Sequence, residues 1–394
     1  MKPAPKPARR AAAGMSIAGM SITGMSILAL LLVAACQKQE SAQGGAATAG
    51  ASAQNAPAAG GGTLNLYNWN DYIDDQTVKR FEQQFNAKVV QTFYSDNDEM
   101  LAKLAAGATG YDVVVPTGNA VEAMIRRGDL QPLDHAVLSN IGNIRPQFAS
   151  LPYDPQHQYA VPYAYTVTVI GYNDAALRKA SFPPPTGWEA IFDPAIACKL
   201  KGRITVLDSP DEIFAAAFYY LGIDPNTTSA DDYKKAAATI TKAKSCWAAF
   251  NSASYSKEMA AGNIWMALGY SNDFFLGNRD AQAAKQDFHI VSVLPQQGAT
   301  LAVDNMVILK SAPNPKLANA FVNFMMDGRN SADLSNLIGS GAAYKTALDF
   351  IKPEVKSNQA VFPPEDRMSS FHVLRLLPPE IRQERSRLWT EIKL

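Results

Sequence analysis

What this chain has little of narrows its function first. It carries four histidines and three cysteines in 394 residues. His135, His157, His289 and His372 are scattered, with no HExxH pair and no Ser or Cys motif near any of them. That leaves no zinc-hydrolase or nucleophilic-triad signature. No Walker loop is present to cradle a nucleotide phosphate, no CxxC pair to exchange electrons, and no cluster of metal ligands. Basic and acidic residues balance at 36 each. Without a basic stripe, nucleic acid is not a partner. No apolar run reaches the roughly 20 residues that a membrane-spanning helix needs. An enzyme is therefore disfavoured, and neither metal nor cofactor is expected.

The ends of the chain are informative. MKPAPKPARR is basic, MSILALLLVAA is a short apolar run, and small residues follow. Together they read as a secretory signal over residues 1–35. The order Val33-Ala34-Ala35-Cys36 resembles a bacterial lipobox, which predicts cleavage before Cys36 and lipidation of that cysteine. Residues 37–62 are Ala, Gly, Ser and Gln with almost no large apolar group. Such a segment cannot bury a core and predicts a flexible tether reaching about 28 Å on average. Cys198 and Cys246 then remain, and in an exported chain they predict one disulfide. The folded body of about 330 residues exceeds one ordinary core, so two domains are expected.

Along that body, TLNLYNW reads as a strand. Asp74 and Asp75 lead a helix with Val78, Phe81 and Phe85 on one face. AKVVQTFY and YDVVVP read as further strands, with helices around Met100–Leu104 and at AVEAMIRRG. This alternation predicts a doubly wound α/β domain. Ligands of such sheets bind beyond the C-terminal ends of strands, where Trp69–Tyr72 and Thr117–Asn119 fall. YAVPYAYTVTVIGYN predicts a long strand entering a second domain. That domain would hold GRITVLDSP, helices near 213–221 and 231–244, and IWMALGYSND. FHIVSVLPQQG and TLAVDNMVILKS are expected to return to the first domain. Helices follow at PNPKLANAFVNFMM and RQERSRLWTEI. A chain that crosses more than once makes a hinge with a cleft between its halves.

Four acidic stretches end predicted strands or lead helices: WNDY (69–72), VLDSPDEIF (206–214), LGYSND (268–273) and LAVDN (301–305). Each has a plain alternative as a cap or turn. Together they place carboxylates beside aromatic rings, the pairing that suits an organic cation.

YNWNDYI, YDVVVPTGN, LDSPDEIF, LGYSND and VDN, in this order, closely resemble the periplasmic polyamine-binding proteins of ABC importers. IGYN and the C-terminal FPPED…R…W pattern agree, and the likeness covers nearly all of residues 63–394. It implies a type II binding protein with two α/β lobes, a hinge, and a ligand cleft between them. Lobe 1 would comprise 63–165 and 288–348; lobe 2 would comprise 166–287 and 349–394 with the C-terminal helices. It further implies that Trp69, Asn70, Asp71, Tyr72, Thr117, Asn119, Asp208, Glu212, Tyr270, Asp273, Asp304 and Ser340 line the cleft. Tyr270, Ala302 and Ser340 depart from aromatics common in the family, so one end of the pocket is expected to be larger or less aromatic. The ligand would be a polyamine, a putrescine-like diamine before spermidine. The partner would be an ABC permease, with the protein a monomer in the periplasm touching the membrane only through its lipid. Alternatives are a receptor of the same fold for another cation, or a polyamine sensor acting on a membrane partner. A ferric receptor would use adjacent tyrosines, but Tyr219-Tyr220 read as helix interior.

Overall fold

The computed structural model describes residues 61–394. The predicted signal, Cys36 and nearly all of the tether lie outside the described residues. The strands are β1 (Gly62–Trp69), β2 (Ala87–Tyr94), β3 (Val113–Val114), β4 (Ala160–Asn173), β5 (Ile204–Val206) and β6 (Ala249–Phe250). They continue with β7 (Met266–Tyr270), β8 (Ile290–Val293), β9 (Ala299–Ile308), β10 (Gly341–Ala342) and β11 (Phe371–His372). Their hydrogen-bonded order is β2-β1-β3-β9-β4-β7-β5-β6, with β8 and β10 on β4 and β11 on β9.

One strand governs this arrangement. All of β4 is buried, as its continuous run of Val, Tyr, Thr and Ile requires. Its first part pairs antiparallel with β9, from Ala160↔Val307 to Val167↔Leu301. Its second part pairs with β7, from Thr168↔Tyr270 to Tyr172↔Met266. The sheet therefore has two halves that share β4. β1, β2, β3 and β9 form the first half; β5, β6 and β7 form the second. β8 corrects one expectation. FHIVSVLPQQG does not return to the first half, because Ile290–Val293 pairs with Ile170–Asn173, the part of β4 whose other edge carries β7. The return is made one strand later, by β9.

Local chemistry sets the helix ends. Asp74 caps helix Asp75–Phe85, accepting from the backbone N–H of Gln76 and Thr77, and Val78 and Phe81 are buried. Ser209 caps helix Pro210–Leu221, with Pro210 at its first position. Gly128, at φ 73°, closes helix Gly118–Arg127 in the left-handed conformation that glycine tolerates. Two of the longer helices went unforeseen, Ser271–Ala283 and Gly328–Ile338, as did short ones such as Asp174–Lys179 and Tyr255–Ala260. The first contains Gly277, where an added side chain would meet Ser256 at 2.7 Å. Close packing there outweighs weak propensity.

Cys198 and Cys246 are joined, as expected, across 48 residues. Closing a loop of that size stabilises by about 4 kcal/mol in the chain-entropy view. Replacing both cysteines by Ala is expected to lower the denaturation free energy by up to that amount, measured by urea titration without reductant. An unchanged midpoint would show that the bond adds nothing.

Candidate functional site

The first half contributes a carboxylate held by two hydroxyls. Asp304 lies on β9 and is buried. Thr117, bridged to it antiparallel at the end of β3, donates its hydroxyl to Oδ1 at 2.7 Å. The Tyr72 phenol donates to Oδ2 at 2.7 Å. Tyr72 is fixed in turn, because its carbonyl accepts from Asn68 Nδ2 at 3.1 Å and from the Tyr163 hydroxyl at 2.8 Å. Trp69 donates Nε1 to the Val115 carbonyl at 2.9 Å, and its ring lies 4.5 Å from that of Tyr94.

The second half contributes two more. Glu212 is buried in the first turn of helix Pro210–Leu221, and its Oε2 accepts from the Thr168 hydroxyl at 2.6 Å. Asp273 is half-buried in the first turn of helix Ser271–Ala283. It accepts from the Tyr255 hydroxyl at 2.6 Å and from Asn272 Nδ2 at 3.2 Å. The Tyr255 oxygen also accepts from the Tyr270 N–H at 2.9 Å, which locks the end of β7 to Asp273.

The electrostatics of these acids agree. Burial pushes Glu212 up to about 7 despite the Thr168 hydroxyl and the nearby Thr300 hydroxyl, which favour its ionised form. Burial pushes Asp304 up to about 6 against the Thr117 and Tyr72 hydroxyls. Asp273 is raised for the same reason, against Tyr255. Among the described residues no Lys or Arg forms an ion pair with any of the three. The Tyr270 phenol ties them together. It is raised well above its ordinary value by burial, then by the charges of Glu212, Asp273 and Asp304. Carboxylates from both halves therefore act on one ring. Desolvated acids bonded only to neutral groups favour any cation that can enter among them.

Other expected residues stand apart. Asp208 is exposed and ion-paired with Lys393 at 2.7 Å, so its carboxylate is already neutralised. Asn70 and Asp71 are exposed in a turn, Asp71 at φ 54°, and Asn70 Nδ2 donates to the Asp71 carboxylate at 2.8 Å. Asn119 spends its Oδ1 on the Ala120 N–H and places Nδ2 3.5 Å from Asp211. Ser340 is fully buried, and its hydroxyl has no partner among the described residues. Tyr219 donates to the Ala299 carbonyl at 2.7 Å and Tyr220 packs near Phe192, as helix-interior residues do. The hydroxyls of Thr168, Tyr163 and Tyr255 were missed. Thr168 had a signal, a hydroxyl inside an apolar strand, whereas Tyr255 had none.

Known proteins resemble this chain along most of its length. Residues 76–363 match the bacterial extracellular solute-binding protein family. A putrescine/cadaverine-binding protein of Pseudomonas aeruginosa is 50% identical over 331 residues, 84% of this chain and 93% of that protein. The putrescine-binding periplasmic protein PotF of Escherichia coli is 33% identical over 337 residues, 84% of this chain and 91% of that one. The crystal structure of the TpPotD lipoprotein of Treponema pallidum superposes with a TM-score of 0.74 at 29% identity, covering 84% of this chain and 99% of that one.

The raised acids have a consequence for stability. At low pH, Glu212 and Asp304 are protonated folded and unfolded alike, and burial of charge costs nothing. As pH rises from the ordinary carboxyl values of 4.5 and 3.8 towards about 7 and about 6, the unfolded chain ionises first. Their contribution to ligand-free stability therefore falls across that window. Glu212→Gln is expected to be more stable than the wild type at about pH 8 and to lose that advantage near pH 4. Denaturant midpoints at both values check this; an advantage that does not change with pH would contradict it.

Proposed function

The chain belongs to the bacterial extracellular solute-binding protein family, and we propose that it captures a short aliphatic diamine, putrescine or cadaverine, between the two halves of its sheet. The observation that carries this is the set of three desolvated carboxylates with only hydroxyl and amide partners. A diamine has an ammonium at each end, each with three donors and no acceptor. Asp304 with Thr117 would receive one end; Asp273 and Glu212 would receive the other. The rings of Tyr72, Tyr270 and Trp69 would flank the methylene chain and attract the cations. A diamine is preferred over spermidine because the relative 50% identical is named for putrescine and cadaverine, whereas spermidine/putrescine-binding relatives are 28% identical.

The hinge in this reading is the pair of crossing strands, β4 near Val167–Thr168 and β9 near Leu301, which lie side by side. Lobe 1 would be 63–165 with the chain from β9 to 348. Lobe 2 would be 166–287 with β8 and 349–394. Closure on the ligand joins contacts from both lobes, so ligand and closure stabilise each other. The closed protein would deliver its ligand to an ABC permease. It would act as a periplasmic monomer anchored through lipid on Cys36.

Titration calorimetry with putrescine, cadaverine, spermidine, ferric citrate and basic amino acids tests this. A diamine is expected to bind, and Asp273→Asn or Asp304→Asn to weaken it by roughly 2–5 kcal/mol, since an ammonium would be left unpaired. Binding of a basic amino acid or ferric citrate, with no response to any polyamine, would overturn the ligand class.

A further inference from the structure

Glu122 is a buried carboxylate that the acidic cluster does not use. It is 6% exposed, on helix Gly118–Arg127, which follows Thr117 in the first half. Four donors converge on it. Arg126 of its own helix donates at 2.6 Å. Arg375 donates from Nε at 3.1 Å and from Nη2 at 3.3 Å, and the Leu376 backbone N–H donates at 3.1 Å. Burial alone would raise this acid, yet Arg375, the Leu376 N–H and Arg126 together hold it below the ordinary carboxylate range.

Arg375 and Leu376 are fastened to the second half. Asn226, just past helix Pro210–Leu221, accepts from the Arg375 N–H at 2.8 Å and donates to the Val373 carbonyl at 3.0 Å. The following helix, Pro379–Lys393, packs on helix Ala230–Lys244. One turn before Glu122, on the same helix face, Asn119 approaches Asp211, which is paired with Arg385 of that C-terminal helix. One face of helix Gly118–Arg127 thus meets the second half at two points, both outside the acidic cluster.

Separating the halves would strip Glu122 of three of its four donors and leave Arg126, whose side chain is 60% exposed. We propose that Glu122 and Arg375 form a clamp between the halves, a positioning pair away from the ligand that holds the closed state and slows ligand release. This rests on the hinge reading above. Because apparent affinity scales with the closed fraction, the clamp raises affinity without touching ligand. Its effect falls on dissociation, as is usual for changes within one binding surface.

The test combines stopped-flow putrescine binding with X-ray scattering of the ligand-free protein for Glu122→Gln, Arg375→Met and the double variant. Each single change is expected to raise the dissociation rate about tenfold with association nearly unchanged. The double is expected to be no worse than either single, and ligand-free scattering to shift to larger dimensions. Unchanged dissociation and scattering, or fully additive losses, would overturn the clamp. Should either variant lose its cooperative melt, Arg375→Lys, which keeps the charge but not the fork, gives the same readings. If the wild type binds no putrescine, the diamine reading fails by itself. The scattering comparison then decides the clamp: expansion on Glu122→Gln supports it, and superimposable curves overturn it.

Discussion

A carboxylate removed from water without a cation beside it is a poor place for a negative charge. Glu212 and Asp304 are buried in this way and Asp273 is half-buried, and the charge of each acts on the Tyr270 phenol. Each hydroxyl in contact gives one hydrogen bond and no charge, so burial still dominates and all three acids are raised. A structural ion pair would have been satisfied within the protein, as Asp208 is by Lys393 and Glu122 is by Arg375. The contrast separates acids that hold the fold together from acids left for something else to neutralise. An organic dication with a short apolar chain matches both the charge and the rings.

The two strands that cross between the halves also supply the groups that steady these acids. β4 carries Thr168 against Glu212 and Tyr163 against the Tyr72 backbone. β9 carries Asp304 itself and places Thr300 near Glu212. Tyr270 faces Thr168 across the β4–β7 pairing. Site and proposed hinge therefore share the same backbone. A rotation about Val167 and Leu301 would move the two sets of acids relative to each other, which is how a small ligand would report on a large motion. The Glu122 contact lies outside that centre, where a modest electrostatic bond can bias the equilibrium without altering what is recognised.

Much of this was legible in the residues. Alternating strands and helices up to Arg127, the long β4 segment, the paired cysteines and the acidic strand ends carried strong local signals. What the residues did not carry was contact. Asp208 looked equivalent to Glu212, but Ser209 is the cap and Asp208 faces a lysine 185 residues later in the chain. Asp71 sits beside Trp69 in sequence, yet the left-handed turn at φ 54° leaves it exposed. β8 resembled a returning strand because its apolar pattern does not say which partner it pairs with. Tyr255 could not be foreseen, since its role depends on the Tyr270 N–H and Asp273 meeting its hydroxyl in three dimensions. Sequence pattern reports burial and local capping; it does not report which distant group satisfies a charge.

The central claim is that ligand supplies the positive charge these acids lack, and proton linkage measures it directly. Near pH 6.5, acids with values of about 7 and about 6 together hold about one proton in the ligand-free protein. A bound dication favours their ionised forms and displaces that proton. Titration of putrescine in buffers of different ionisation enthalpy should report net release approaching one proton near pH 6.5, fading by about pH 8.5. Binding with no proton exchange at either pH, or with proton uptake, would contradict the account.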